Sequence, residues 1–519
     1  MASNPRQQRI FCGIDVGSTN VKVILIDETA RTLWTKAIAM PRVDDTDGGK
    51  DAIATDVSPL VATLEDLIIE GWHKTGAGAP IAAIAVTGVG EDGVPVDAAL
   101  RPLDTAIPWF DRRADALATL DETLGELADI KVTAGVKLDF SRTAAKWRWL
   151  RRHRQAAMGR AAFWLTLTDY PAAWWAQTPF ISETLAARTA CYDVFARRWS
   201  APMLAACGAP PLPAVSSAGD VIGVVCVGRL LSSGAADGDT LVIAGGHDHP
   251  VAASAIKRLR PDAIVDSLGT ANLMYDEIAS ISPRTDPFIA FSVPVSGKPG
   301  LACLGVFEFA ASLAPFRRQS GDATGAENVL QRYLSQDHAG GTPGNVQAIT
   351  ASLHDALQAD HTMSTRAVDE RHLRLALEAG CLYARCMRDA IAMAHAAGGE
   401  SAGLAADAPV YVVGGWARST ALLQLRASVF GRQVYAVEED ELTALGVALI
   451  ARDAAVTAQA LVGTASLSAQ PSTPHHGFVR KTHRFDPVPA WRDAYDRIYP
   501  TFREYASAEL TTLADHDSA

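Results

Sequence analysis

Residues 10–40 read IFCGIDVGSTNVKVILIDETARTLWTKAIAM, and the pattern of this stretch decides the fold. Three apolar runs, IFCGIDV, VKVILID and TLWTKAIAM, are separated by turn residues at Gly17 to Asn20 and at Glu28 to Arg31, which predicts an antiparallel meander. The first turn sets Asp15 at a strand end beside Gly17, Ser18, Thr19 and Asn20. Such a turn offers amides and hydroxyls to phosphate oxygens, and the aspartate offers a carboxylate to a hydrated magnesium ion. The GxxxxGK spacing of a P-loop is absent. A similar strand, Gly/Thr/Asn turn and second strand recur at Ala263 to Glu277, AIVDSLGTANLMYDE, so the chain reads as a duplicated fold. Two ordinary hairpins would look the same locally, and the phosphate reading needs further support.

The rest of the chain bounds the class. It has 519 residues, a formal charge of -11 and 48% hydrophobic residues. This is a mildly acidic globular composition, long enough for two to four domains at roughly 150 residues each. A nucleic-acid binder would carry a basic excess, which is missing. The seven cysteines are scattered without CxxC pairs, which favours reduced, buried thiols over a disulfide framework or a zinc site. No apolar signal region follows the polar start, and Val221 to Leu231, broken by Gly223, Gly228 and Arg229, falls short of the roughly 20 residues a bilayer requires. A cytoplasmic protein without membrane or nucleic-acid partners is expected.

Along the chain, a helix is predicted over Val57 to Thr75, a buried strand over Ile81 to Gly88, and helices over Ala114 to Leu127 and Lys146 to Ala157. Linkers are expected at Ser232 to Asp239, His338 to Asn345, Ala396 to Pro409 and Val456 to His476, the first marking a domain boundary. The basic, aromatic run KWRWLRRHR, Lys146 to Arg154, has helical spacing and reads as an amphipathic helix with a solvated face.

Two further stretches carry chemistry. In AGGHDHPVAASAI, Ala244 to Ile256, Pro250 sits where a helix would begin, which places Asp248 at or near a helix N-terminus. Its ionised form is favoured there, ready to take a proton from a substrate hydroxyl; simple helix capping by Asp248 or His249 is the competing local reading. His247 and His249 flank Asp248, but two histidines without further ligands make a poor zinc site. In VYVVGGWARSTALLQLRASVF, from Val410, a strand ends in Gly414 and Gly415 before a helix, which suits close approach of a nucleotide or plain tight packing.

Taken in order, GIDVGSTNVK, AVTGVGEDGVPVD (Ala85 to Asp97), IPWFDRRAD (Ile107 to Asp115), GGHDH, SLGTAN and GGWARS with TALGVALIA resemble the FGGY carbohydrate kinases of the actin, hexokinase and heat-shock chaperone superfamily. The resemblance covers nearly the whole chain. It implies an α/β fold of two actin-like (ribonuclease H-like) domains, with mixed sheets flanked by helices and an active site in the interdomain cleft. The domains are expected at 1–245, on the sugar side, and 246–519, on the nucleotide side, with a terminal helix over 486–510 packing back on the body. The implied activity is ATP- and Mg2+-dependent transfer of a phosphoryl group to a hydroxyl, expected to be primary, of a small ketose or polyol.

By the same resemblance Asp248 matches the catalytic base and Asp15 the magnesium-associated residue. Gly17, Ser18, Thr19, Asn20 and Lys22 match the first phosphate turn, and Gly269 and Thr270 the second. Gly305, Gly414, Gly415, Trp416 and Ser419 fall on the nucleotide side, with Trp416 standing where the family often has a third glycine. Glu91, Asp92, Trp109, Asp111, Arg112 and His247 fall on the sugar side. Glu91 lies where glycerol kinases place a glutamate, but Gly90 stands where they have arginine, and Gly90-Glu91 replaces the Met-His of xylulokinases. Two other readings remain: a catalytically silent nucleotide or sugar sensor of this superfamily, and an actin-like ATPase whose acceptor is water. A homodimer is left open.

Overall fold

The structure, a computed structural model, describes residues 9–45, 48, 52–76, 78–114, 135–136, 138–269, 271–279, 286–307, 343–358, 370–397, 408–439, 441–462 and 482–516. In chain order the principal strands are β1 (Ile10–Val16), β2 (Asn20–Asp27), β3 (Thr32–Ala39), β4 (Ile81–Gly88), β5 (Val221–Val224), β6 (Leu241–His247), β7 (Ile264–Leu268), β8 (Asn272–Ile278), β9 (Leu301–Phe307), β10 (Val410–Val413), β11 (Val434–Val437) and β12 (Thr482–Phe485). The principal helices are α1 (Val57–Thr75), α2 (Thr143–His153), α3 (Asp248–Leu259), α4 (Glu370–Ala397), α5 (Thr420–Phe430), α6 (Leu442–Val462) and α7 (Pro489–His516).

The chain divides into two compact units: Met1–Leu259 with Phe291–Leu301 and Glu441–Phe478, and Arg260–Ala290 with Ala302–Asp440 and Val479–Ala519. The first division thus falls after Leu259 rather than after 245. Ser232 to Asp239 is no boundary, because it joins two antiparallel neighbours, β5 and β6, of one sheet.

The sheet of the first unit runs β5-β6-β4-β1-β2-β3. Strand β4 is parallel to β1 and β6, while β1, β2 and β3 form the expected antiparallel meander. Every residue of β1 is buried, as a central strand covered on both faces requires. One of the covering elements is α6. A Cβ on Gly13 of β1 would lie 2.2 Å from the Ala444 carbonyl oxygen and 2.7 Å from the Ala448 Cβ, so this glycine admits a helix laid directly on the strand. By length and composition α6 could cross a membrane, but that apolar character serves packing here: Ala444, Leu445, Val447, Ala448 and Ala451 are all buried. Helix α1 spans the predicted residues. Asp56 caps it by accepting from the Ser58 amide, and Gly76 at φ 63° ends it.

The sheet of the second unit is seven-stranded, a short strand at Ala290–Ser292 followed by β9-β8-β7-β10-β11-β12. Strands β7, β10 and β11 are parallel, and β7-β8 is an antiparallel hairpin like β1-β2, as the internal repeat predicted. The terminal helix expected over 486–510 is α7, which begins three residues later, at Pro489, and runs on to His516.

Other expectations need correction. The helix expected over Lys146–Ala157 breaks at Arg154 into α2 and a short helix, Gln155–Arg160. The expected linker from Val456 begins inside α6, which continues to Val462. Helix α2 is solvated only toward its end: Lys146 is 1% exposed and Trp147 fully buried. The helix expected at Ala114–Leu127 and most of the linkers at His338–Asn345 and Ala396–Pro409 lie outside the described residues.

Candidate active site

Four strand ends and turns of the first unit build its polar centre. The Gly17 amide donates to the Asn20 carbonyl oxygen at 3.0 Å, closing the β1-β2 turn with Thr19 and Asn20 exposed. Arg42 donates to the Ser18 carbonyl oxygen at 2.7 Å and braces the turn from behind. Asp15 faces Lys22 across the hairpin, and the Lys22 ammonium lies 3.0 Å from Glu441, just ahead of α6. Asp15 is buried, and its Oδ1 has no hydrogen-bond partner. Burial, together with the charges of Asp248 and Glu441 and against that of Lys22, pushes its carboxyl up to about 8.

A bound cation would satisfy the unpaired oxygen and favour the ionised carboxylate. Magnesium keeps most of its waters and is held by one or two carboxylates plus phosphate oxygens, so a single orphaned carboxylate oxygen beside a second carboxylate suits it. Among the described residues no three His, Cys, Asp or Glu side chains form a cluster able to hold a metal by themselves.

Asp248 begins α3, two residues earlier than the proline suggested. Its Oδ1 accepts from the His249 amide at 2.6 Å, and its side chain remains partly accessible. The Nε2 of His247 lies 3.3 Å from the same oxygen. Burial, helped by the Arg188 charge and opposed by Asp248 and Glu91, holds His247 down to about 4, so it is neutral at pH 7. The approach to Asp248 is fixed by backbone: Thr184 accepts from the His247 amide at 2.9 Å, and Thr87 donates to the Gly246 carbonyl oxygen at 2.7 Å.

Glu91 lies beside this turn, 6% exposed. Arg142 donates to its Oε1 at 2.8 Å, and Arg188 donates to the same oxygen at 2.8 and 2.5 Å. Burial alone would raise the carboxyl, but Arg188, Arg142, His247 and Lys146 outweigh it and hold Glu91 down to about 2. It is therefore a permanent acceptor and not a proton donor. Gly90 makes room for this arrangement, since a Cβ there would lie 2.7 Å from Arg188 Cγ and 3.0 Å from His247 Cδ2.

The remaining sugar-side expectations fare differently. Asp92 is 1% exposed and paired with buried Lys146 at 3.2 Å, a position beneath the surface. Trp109 is half-buried against the core. Both oxygens of Asp111 accept from Arg113, while the Arg112 guanidinium stacks 4.7 Å from the Phe140 ring.

In the second unit, the Gly269 amide closes the β7-β8 turn on the Ala271 carbonyl oxygen at 3.0 Å; Thr270 lies outside the described residues. Gly414 has φ 94°, and a Cβ there would meet the Leu268 carbonyl oxygen at 2.6 Å, so only glycine lets the end of β10 pass this close to β7. Gly415 faces open space, and Trp416 is half-buried. Ser419 caps α5, accepting from the Leu422 amide at 3.2 Å. Gly305 sits within β9, where a Cβ would meet Met387 of α4 at 2.6–2.7 Å; its reason for being glycine is sheet-to-helix packing.

Comparison with known proteins settles the family. The model of the FGGY family of carbohydrate kinases, N-terminal domain, matches residues 10–255, and that of the C-terminal domain matches residues 332–455. The chain belongs to the FGGY carbohydrate kinase family. It is 26% identical over 242 residues to a glycerol kinase of Azotobacter vinelandii, covering 45% of this chain and 46% of that one. It is likewise 26% identical over 277 residues to a xylulose kinase of Klebsiella pneumoniae, covering 51% and 54%. These alignments span about half the length of the curated relatives. A gluconate kinase structure from Lactobacillus acidophilus superposes with a TM-score of 0.76 at 17% identity, covering 98% of this chain and all of that one. The fold is the two-domain actin-like fold of FGGY kinases.

Sequence reasoning missed Arg142, Arg188, Thr184 and Glu441. Arg142 immediately precedes α2, and only its neighbourhood to a basic cluster could have drawn attention to it. Thr184 and Arg188 are single residues in a segment without a motif, and Glu441 stands two residues ahead of TALGVALIA.

Proposed function

We propose that this chain is an ATP-dependent kinase that transfers the γ-phosphoryl group to a hydroxyl, primary by preference, of a small ketose or polyol. The observation that carries the reading is the pairing of a partly accessible Asp248 at a helix start with a buried Asp15 whose Oδ1 lacks any partner. A proton acceptor and a cation anchor are what phosphoryl transfer to an alcohol asks of a protein.

Asp248 accepts the hydroxyl proton as the new O–P bond forms and the bond from the γ-phosphorus to the departing ADP oxygen breaks; a weakly basic carboxylate suffices because a loose transition state releases that proton late. Neutral His247 orients the carboxylate by sharing its Oδ1. Glu91, fixed by Arg142 and Arg188, accepts hydrogen bonds from acceptor hydroxyls, and its rigidity holds the reacting hydroxyl toward Asp248. The Ser18 and Thr19 amides and hydroxyls bind phosphate oxygens, joined by Lys22. Asp15 would hold magnesium, which when bound supplies charge neutralisation of the transferring group. On the nucleotide side the turn at Gly269 and the Gly414-Gly415 approach are assigned to phosphate and adenosine, with Trp416 beside the base. Asp92, Asp111 and Gly305 act as supports.

Release of ADP from MgATP, measured across pentuloses, hexuloses, deoxyhexuloses, tetritols, pentitols, glycerol and aldonates, tests this reading. Turnover confined to one acceptor class, with a phosphorylated product of the matching mass, supports it. ADP release equal with and without every acceptor would favour the water-acceptor ATPase instead.

A further inference from the structure

The two hairpins of the internal repeat treat their acidic residues in opposite ways. In the first, Asp15 ends a strand with one buried oxygen unpaired. In the second, Asp266 of β7 is fully neutralised. Arg426 of α5 donates from Nε to Asp266 Oδ2 at 2.6 Å and from Nη2 to Oδ1 at 3.0 Å. Asn272, the first residue of β8, donates from Nδ2 to Asp266 Oδ1 at 2.6 Å and accepts from Arg426 Nη2 at 2.6 Å. All three side chains are 0% exposed.

The placement of this triad matters. Asp266 precedes the Gly269 turn by three residues and Asn272 follows Ala271 directly, so both strands of the hairpin are tied to one guanidinium. Helix α5, which supplies that guanidinium, begins five residues after Gly415, and Gly414 packs on the carbonyl of Leu268 at the end of β7. One buried charge therefore links the β7-β8 turn to the glycine pair of β10. A fully buried ion pair is weak evidence for stability, because apolar replacements often do as well, and a role in positioning or electrostatics is the alternative to seek.

We infer that Arg426 is a positioning residue for the nucleotide: it cancels the negative charge of Asp266 beneath the second turn and holds that turn against the Gly414-Gly415 segment. The inference rests on the proposed nucleotide role of the second unit. A bare carboxylate under a phosphate-facing turn would repel the nucleotide across a low-dielectric medium, whereas a neutral pair lets the turn amides act unopposed.

The test is titration of MgADP into the full chain by calorimetry, with thermal unfolding of each variant recorded alongside. Arg426→Met is expected to weaken nucleotide binding by about tenfold or more, and Arg426→Met with Asp266→Asn to recover to within about threefold of wild type, the non-additivity expected of a contacting pair. The Michaelis constant for the acceptor stays unchanged. If Arg426→Met does not fold, Asn272→Ser, which keeps the ion pair and drops its bridge between strands, is expected to weaken MgADP binding about threefold. Variants that lose thermal stability yet bind MgADP like wild type would overturn the inference and leave a structural pair. Wild-type protein that binds no MgADP would instead overturn the functional reading itself, and this inference with it.

Discussion

Replacing Glu91 by glutamine probes the sugar side most sharply, because the structure gives the size of the effect. A carboxyl held near 2 rather than at 4.5 has its ionised form stabilised by about 3 kcal/mol, at 1.36 kcal/mol per pH unit. That contribution is fully present above pH 4.5 and is lost as pH falls through 2, the sign expected of a carboxyl whose folded value is depressed. Glu91→Gln discards it at neutral pH and leaves two guanidinium groups, 14–15% exposed, competing for one amide oxygen. Water reaching these arginines relieves part of the loss, so a destabilisation of about 2 kcal/mol is expected in denaturant titration. The freed arginines no longer fix the acceptor side, and the Michaelis constant for the acceptor should rise by about tenfold or more, while that for ATP stays within about twofold. Wild-type stability and unchanged acceptor use would refute the clamp; a selective loss of ATP affinity would place Glu91 on the wrong side of the chemistry.

Other expectations follow from the same geometry. Between pH 6.5 and 4 the unfolded chain binds a proton at His247 that the folded chain refuses, so stability falls with acid in that window; His247→Gln should flatten the acid limb of a stability profile. Asp15→Asn removes a buried, unpartnered carboxylate next to Asp248 and Glu441, and should raise the melting temperature of metal-free protein while abolishing magnesium-dependent turnover. Gly414→Ala forces a side chain at φ 94° against the Leu268 carbonyl and should cost about 1–3 kcal/mol along with nucleotide affinity, whereas Gly415→Ala, facing open space, should change melting by little.

The hairpins were legible because their information is local: alternating apolar residues, a Gly/Ser/Thr turn, and a repetition of both 250 residues later. The same holds for Asp248, whose glycines and proline announce a strand-to-helix turn. What escaped was long-range pairing. Lys146 lies in a run that reads as a solvated face, and its contacts with Asp92, 54 positions away, and with the Glu91 carbonyl oxygen explain why it is buried. Arg188 reaches Glu91 across 97 positions, and no periodicity reports such a pair. Local pattern also failed at the end of α6, where the stretch from Val456 resembled a linker: Val456 to Ala460 are exposed or half-exposed, so no apolar periodicity marks this last part of the helix.

The central claim is that Asp248 takes the acceptor proton while other residues bind the nucleotide. Its most direct test is acceptor-dependent ADP release by Asp248→Asn, measured beside calorimetric binding of MgADP to the same preparation. The account predicts turnover reduced by at least about a hundredfold with nucleotide affinity unchanged. Turnover at the wild-type rate would contradict it.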